Sequence, residues 1–383
     1  MNNVQIHNYL PLPLCDIHTH LLRREPIDTS LGLFRAMMDH YGYASVNIAC
    51  CHRVDPEDMD TANVLKGLYL KARLNEDGSD RAVVYGNPTH FYDERDTAEN
   101  YLAQVQTQYA MGVDGFKILD GKPQNRKRMG RPLCDRIFDK MYAFLEENGI
   151  PVLMHLGDPP HFWGDKSGMS AYGLAHGWWC GDGTFPSLEE LREEVSGILT
   201  KFPKLKLCMA HFYFLGHDPE GARAFMEKWE NVSLDLTPGG IMFAGFDAQP
   251  EKWRQFFADF SHRIFFGTDN SNNVNGDPAA HFERSGAPVN LVRRMLEWDK
   301  TKQIPYSGEK TLTPMHLPRE QIDNICSGNY RRLHPASRPL DAALIAGKAA
   351  ALAAALRSDE VFDNDPAREM ENLAVIEAYF TAQ

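Results

Sequence analysis

The sequence lacks the features of a membrane, secreted or nucleic-acid-binding protein. No apolar run approaches the roughly 20 residues that span a bilayer. The first residues also lack the basic stretch and following apolar run of a secretory signal. The formal net charge is −12, which argues against a nucleic-acid partner because such proteins present a basic face. We therefore expect a cytoplasmic protein that acts on a small molecule, with no membrane or nucleic-acid partner.

Cysteine is scarce and follows no metal-binding or disulfide pattern. The seven cysteines are odd in number and include no Cys-x-x-Cys, so we expect reduced thiols rather than disulfides or a cysteine zinc site. Cys15 and Cys208 lie in apolar runs and are predicted to pack as small strand residues. No Gly-x-Gly-x-x-Gly follows an early strand, so a dinucleotide-binding fold has little support.

Eight short apolar runs alternate with helical patterns along most of the chain. Near-continuous apolarity in these runs suits strands that are buried on both faces of a parallel sheet. The alternation predicts a (β/α)8 TIM barrel over residues 1–338, with an open doubly wound sheet as the alternative. The predicted strands are Leu12–His20, Tyr43–Cys50, Arg81–Asn87, Val113–Leu119, Ile150–Leu156, Leu205–His211, Asn231–Thr237 and Arg263–Asp269.

Capping signals delimit the helices, and the composition changes near the end of the chain. Ser187 and Glu190 form a capping box, and Gly112 closes an earlier helix. Beyond Pro339 an alanine-rich stretch predicts a helical C-terminal extension over residues 339–383, with a second helix beginning at Asp365–Pro366. We expect the extension to pack on the barrel or on a second subunit, and the chain to form a homo-oligomer, most simply a dimer.

Metal-type ligands lie at the ends of the predicted strands. Side chains two residues apart on a strand share a face, so His18 and His20 can reach one ion together. His155, His211 and Asp269 end later strands, at the face where barrel enzymes have their active sites. Each alone is consistent with a hydrogen-bonded interior histidine or a capping aspartate. Together these imidazole and carboxylate groups suit zinc, iron or manganese.

Four short motifs contain these strand-end residues: Asp16-Ile17-His18-Thr19-His20, Pro151-Val152-Leu153-Met154-His155, Cys208-Met209-Ala210-His211 and Phe266-Gly267-Thr268-Asp269. Together they resemble the amidohydrolase superfamily. The similarity is greatest to its amidohydrolase-2 branch, which is related to aminocarboxymuconate-semialdehyde decarboxylase and similar metal-dependent hydrolases. The stretch Cys326–Leu333 also resembles the closing helix of that branch.

The resemblance implies roles for the strand-end residues. His18, His20, His155 and Asp269 would bind one divalent ion, with zinc expected first and manganese or iron as alternatives. Asp269 would accept the proton of a metal-activated water, and His211 would stabilise the developing oxyanion. Asp269 and His211 are therefore expected to be catalytic residues.

Lys117, in the fourth predicted strand, has two alternative roles. In binuclear members of the superfamily a carboxylated lysine at this place bridges two metals. In the mononuclear branch a lysine there is a substrate-binding or structural cation. We expect the second role, because a binuclear centre is the less common arrangement in this branch.

Residues in the loops of the same face are candidate substrate contacts. Residues 122–131 contain five basic residues, which can meet a carboxylate or phosphate, although a solvated charged loop is the simpler interpretation. The long aromatic segment 157–186 is a possible lid, or a packed flap. The candidate substrate contacts are Arg53, Arg126, Arg128, His161, Trp163 and Tyr213.

The sequence therefore predicts a metal-dependent hydrolase that acts on an ester, lactone or amide bond of a small carboxylated molecule. The alternatives are a metal-dependent non-oxidative decarboxylase and a non-catalytic barrel that serves as a binding or scaffold protein.

Overall fold

The strands of one large parallel sheet follow one another in chain order. The computed structural model describes residues 9–21, 25–51, 62–272, 278–307, 310–358, 360, 363 and 365–383. The strands of this sheet are β1 (Leu14–His20), β2 (Tyr43–Ala49), β3 (Ala82–Gly86), β4 (Gly115–Gly121), β5 (Val152–Leu156), β6 (Leu207–Met209), β7 (Val232–Asp235), β8 (Ile264–Phe265) and β9 (Asn270–Ser271).

The segment containing β8 and β9 closes the sheet into a barrel. β8 pairs with β7, and β9 pairs with β1. Between them, the backbone N–H of Ile17 donates to the carbonyl of Phe266 (3.0 Å), and that of Asp269 donates to the carbonyl of His18 (2.8 Å). The fold is therefore the predicted (β/α)8 barrel, and β9 continues the eighth strand. Asp269 interrupts this strand because its φ of 63° is left-handed.

Helices lie between successive strands and beyond the barrel. A short antiparallel pair, β10 (Ile304–Ser307) and β11 (Lys310–Leu312), follows the eighth strand. The helices are α1 (Ile27–Tyr41), α2 (Asn63–Leu74), α3 (Ala98–Met111), α4 (Pro123–Met129), α5 (Asp139–Glu147), α6 (Ala171–Ala175), α7 (Leu188–Lys201), α8 (Pro219–Lys228), α9 (Met242–Ala248), α10 (Pro250–Phe260), α11 (Pro278–Glu297), α12 (Arg319–Asp323), α13 (Asn329–Leu333), α14 (Ala342–Arg357) and α15 (Pro366–Thr381).

Local signals set the helix ends. Ser187 Oγ accepts from the N–H of Glu190, and the Glu190 carboxylate accepts from the N–H of Ser187, so the predicted capping box begins α7. α3 ends at Gly112, whose φ of 106° is the left-handed conformation that glycine tolerates. The basic stretch 122–131, predicted as a loop, instead forms the short helix α4.

Apolar side chains fill both sides of the sheet. β3 and β5 are buried along their whole length, as expected for strands between a barrel interior and a helix layer. Cys15 and Cys208 lie in the small interior cluster, with Ile17 and Leu153 among its other members. The larger cluster lies between the sheet and the helices.

The C-terminal helices α14 and α15 pack on the barrel. Lys66 Nζ, on α2, lies 3.1 Å from the Glu369 carboxylate on α15, and both side chains are buried. The N–H of Ile27 at the start of α1 donates to Asn372 Oδ1 at 3.1 Å. These contacts join the extension to the outer helix layer, while the boundary at residue 338 and the dimer stay predictions. No helix in the described part of the chain is both long and apolar enough to cross a membrane.

Candidate metal centre

Three of the predicted ligands meet at the carboxyl end of the barrel. His18 and His20 lie on the same face of β1, and Asp269 lies beside them just before β9. The Nε2 atoms of the two histidines are 3.1 Å apart. Asp269 Oδ1 lies 2.9 Å from His20 Nε2 and 3.6 Å from His18 Nε2. These three residues form the one group within the described residues whose ligand atoms lie close enough to share a metal ion.

The spacing of these atoms fits a divalent ion. Zinc binds imidazole nitrogen and carboxylate oxygen at about 2.0–2.2 Å, which in a tetrahedron separates the ligand atoms by about 3.3 Å. The three separations, 3.1, 2.9 and 3.6 Å, bracket that value. Two imidazoles and one carboxylate also suit manganese or iron. The three residues therefore fit a metal ion.

A buried carboxylate fixes the orientation of His18. Its Nδ1–H donates to Asp235 Oδ2 at 2.8 Å, and Thr237 Oγ1 lies 3.1 Å from the same nitrogen. With the proton on Nδ1, the lone pair of Nε2 faces the cluster. Metal-binding histidines commonly have a carboxylate in this position. Asp235 was missed from the sequence, where the only signal was a carboxylate within the apolar end of the seventh strand.

His155 and His211 lie beside the cluster. Their ring centroids are 4.8 Å apart, and the His211 ring is 5.2 Å from that of His18. His155 Nε2 donates to the carbonyl of Gly157 at 3.0 Å, so this nitrogen is not available to a metal. His211 Nδ1 is buried and has no hydrogen-bond partner in the described structure. The predicted role of His155 as a ligand thus stays a prediction that depends on its other nitrogen.

His211 begins an unusual left-handed turn. The φ angles of residues 211–214 are 54°, 56°, 56° and 50°, a conformation that costs roughly 1–2 kcal/mol per residue outside glycine. The His211 N–H donates to Asp235 Oδ1 at 2.8 Å, which stabilises the start of the turn. A Cβ on Gly239 would lie 2.7 Å from His211 Cβ, so only glycine fits against this histidine.

The turn distributes its aromatic side chains between two environments. The Phe214 ring lies 5.4 Å from His211 and 5.8 Å from His155, so it forms part of the wall beside the cluster. Phe212 instead packs against Trp253 in the outer core. Tyr213 stacks on Phe225 of α8 at 4.5 Å. The structure therefore places Tyr213 in the helix layer rather than at the predicted substrate surface.

Lys117 is buried in direct contact with the cluster. Its Nζ lies 2.7 Å from His18 Nε2, and no carboxylate of the described chain lies within ion-pair distance of it. Burial lowers the pKa of Lys117, although Cys51 and Asp235 oppose this effect. The ammonium group therefore faces the same space as the three ligand atoms, and both predicted roles of Lys117 require that placement.

The protonation states follow from burial and from close partners. Burial, followed by the charge of Lys117, lowers the pKa of His18 well below its usual value. Burial likewise lowers the pKa of His211 strongly, so both rings are neutral at pH 7. Burial also opposes charge on His20, but Cys51 and Asp269 outweigh it and raise the pKa of His20 to about 10. Desolvation disfavours the charged form of Asp269, yet its bond with His20 leaves the pKa of this carboxyl well below its usual range.

The other predicted substrate contacts that the structure describes are either exposed or in contact with neighbouring loops and helices. Arg126 forms a bidentate ion pair with Glu194 of α7, with N–O distances of 2.9–3.1 Å. Arg128 is exposed and lies 4.9 Å from the Tyr92 ring centroid. His161 is exposed, and Trp163 Nε1 donates to the carbonyl of Pro186 at 2.9 Å. Arg53 lies outside the described residues.

Segment 157–186 is a packed flap over this face of the barrel. Two short 3-10 turns and α6 replace the long irregular loop that the sequence predicted. Trp179 Nε1 donates to the carbonyl of Gly164, and Cys180 N–H donates to that of Phe162. These internal bonds favour the packed-flap alternative for the described conformation.

A parallel barrel with histidine and aspartate groups at the carboxyl ends of its strands has these groups where barrel enzymes have their active sites. A sequence model described as Amidohydrolase, of the amidohydrolase-2 branch, matches residues 15–335. The chain therefore belongs to the amidohydrolase family, as its motifs predicted. A comparison with curated proteins finds no match.

The solved structures that match this chain have low sequence identity to it. An uncharacterized TIM-barrel protein from Bordetella bronchiseptica is 16% identical, with a TM-score of 0.49, over 84% of this chain and 98% of that one. A 2,6-dihydroxybenzoate decarboxylase from Rhizobium is 11% identical, with a TM-score of 0.47, over 84% and 98%. A 4-oxalomesaconate hydratase from Rhodopseudomonas palustris is 14% identical, with a TM-score of 0.46, over 84% and 95%.

Proposed function

We propose that the protein is a metal-dependent hydrolase that cleaves an ester, lactone or amide bond in a small carboxylated molecule. The observation that carries this proposal is the position of Asp269. Its Oδ1 belongs to the ligand triangle, while 46% of its side chain remains exposed at the barrel mouth. One carboxylate can therefore contact both a metal ion and a water molecule that approaches from solvent.

The place of Asp269 supports a role as a general base. Its carboxylate lies at the barrel mouth beside His18 and His20, where it can accept a proton from a water molecule that approaches from solvent. Non-oxidative decarboxylation instead requires a donor that protonates carbon. An ionised Asp269 is poorly suited to that task, which is why we place the decarboxylase second.

The remaining groups bind and orient the substrate. His18, His20 and Asp269 would hold the ion, which supplies a Lewis acid that polarises a substrate oxygen. The His211 ring lies 5.2 Å from that of His18, and we assign it to a hydrogen bond with that oxygen. The amine of Lys117 contacts the cluster, whereas Arg126, the other candidate for binding a carboxylate, is paired with Glu194. We therefore assign Lys117 to the substrate carboxylate.

We propose a single ion, zinc first, with manganese or iron as alternatives. The ligand atoms of His18, His20 and Asp269 surround one position, and we assign Lys117 to the substrate rather than to a second ion. His155 would complete the set through Nδ1, since its Nε2 is bonded to Gly157.

The reaction type is tested with labelled water. Purified metal-replete protein is incubated with carboxylated esters, lactones and amides, and with aromatic carboxylates, and the products are analysed by mass spectrometry. Hydrolysis incorporates one labelled oxygen into the product, and Asp269→Asn abolishes it. Metal-dependent release of carbon dioxide without label in the organic product would establish the decarboxylase instead. Absence of turnover together with less than about a tenth of a metal ion per chain would support the non-catalytic barrel.

A further inference from the structure

The second ring nitrogen of His20 faces a cysteine. While Nε2 of His20 points at Asp269 and His18, its Nδ1 lies 3.3 Å from Cys51 Sγ. The carbonyl of Ala49, at the end of β2, is also 3.3 Å from this nitrogen. A thiol sulfur is a weak acceptor, so the Nδ1–H of His20 has two acceptors on the neighbouring strand.

The arrangement around His20 repeats the arrangement around His18. In both residues Nε2 faces the cluster and Nδ1 faces an acceptor supplied by the end of another strand, which is Asp235 of β7 for His18. Such partners fix the tautomer and the ring orientation of a metal-binding histidine. We infer that Cys51 is a positioning residue that directs the Nε2 lone pair of His20 toward the metal ion. The inference rests on the proposed metal site, but it does not depend on which reaction the enzyme catalyses.

The direction of the Cys51 side chain agrees with this role. Consecutive residues at the end of a strand point to opposite faces, and the two adjacent cysteines do so here. Cys50 Sγ lies against α2, where a Cβ added to Gly67 would come within 2.4 Å of it. Cys51 instead points toward the barrel mouth and His20. Its sulfur contacts Nδ1 of His20, whereas Nε2 is the nitrogen that would bind the ion, and Cys51 is not part of the ligand group.

The test measures metal affinity rather than turnover. Cys51→Ala, Cys51→Ser and the control Cys134→Ala are compared with the native chain by competition with a chelator, using zinc and cobalt(II). Cys134 is a half-buried cysteine near Gly197 of α7, so its loss should not change affinity. Because the Ala49 carbonyl remains, Cys51→Ala should weaken binding about tenfold, the lower end of the effect of losing such a partner. Cys51→Ser keeps an acceptor and should bind within about threefold of the native chain.

Cobalt spectra separate a positioning residue from a ligand. The native cobalt protein should show no sulfur-to-metal charge-transfer band, because the sulfur contacts the ring and not the ion. A charge-transfer band that disappears in Cys51→Ala would make Cys51 a ligand and overturn the inference. Unchanged affinity in a folded Cys51→Ala would overturn it as well, and Cys51→Ser provides the comparison if the alanine variant does not fold. A native chain that binds no metal would instead refute the proposed metal site itself.

Discussion

Replacing Asp235 with asparagine should weaken the metal site without disturbing the fold. Asp235 Oδ1 accepts from the N–H groups of His211 (2.8 Å) and Thr237 (3.1 Å), and Oδ2 accepts from His18 Nδ1 (2.8 Å). An asparagine carbonyl can keep both backbone bonds. Its NH2 group then faces His18 Nδ1 as a donor, so His18 must carry its proton on Nε2, where the lone pair for the metal would otherwise be.

The size of this effect follows from the loss of one supporting contact. Loss of such a partner typically costs 10–100-fold in metal affinity, or about 1.4–2.7 kcal/mol. We expect the upper part of that range because the substitution reverses the tautomer rather than merely removing a bond. The dissociation constant is measured by chelator competition, with circular dichroism to verify the fold. Thr237→Ser, which keeps its hydroxyl near His18, serves as the control and should change affinity less than about threefold. Equal affinities for Asp235→Asn and the native chain would refute the assignment of His18 as a ligand through Nε2.

Three further predictions concern other titratable side chains. Lys117→Ala should leave about one metal ion per chain but raise KM for carboxylated substrates; loss of a second ion, measured by elemental analysis, would show a binuclear centre. Glu369→Ala should lower the free energy of unfolding by on the order of 3 kcal/mol, because Lys66 loses its buried carboxylate, whereas Glu371→Ala at an exposed site of the same helix should have little effect in urea titrations. Burial lowers the pKa of His334 to about 3, against about 6.5 in the unfolded chain. The unfolded state therefore binds the proton first, and stability falls as pH decreases from about 6.5 to 3; urea titrations at neutral and acidic pH should show a smaller loss in His334→Gln, and an equal loss would contradict the shift.

The strand pattern and the first ligand pair were predictable because they depend on local sequence. All eight apolar runs contain strands of the barrel, and the alternation of His18 and His20 on β1 brought their Nε2 atoms together. The approach of Asp269 followed from a general property of barrels, since the carboxyl ends of all the strands meet at one face.

The partners of individual side chains were not predictable in the same way. Arg126 was predicted to face substrate, but Glu194, from a helix distant in sequence, pairs with it. Tyr213 was predicted to contact substrate, but the left-handed turn directs it to the helix layer. Asp235 went unnoticed because its role depends on the position of β7, which is separated from β1 by the eighth strand and far from it in sequence.

Anomalous X-ray diffraction from crystals of metal-replete protein tests the central claim most directly. The account predicts one strong peak per chain, within about 2.2 Å of His18 Nε2, His20 Nε2 and Asp269 Oδ1, that disappears in His18→Ala. A bound ion located elsewhere, or no peak between these three atoms in a crystal grown with excess metal, would contradict it.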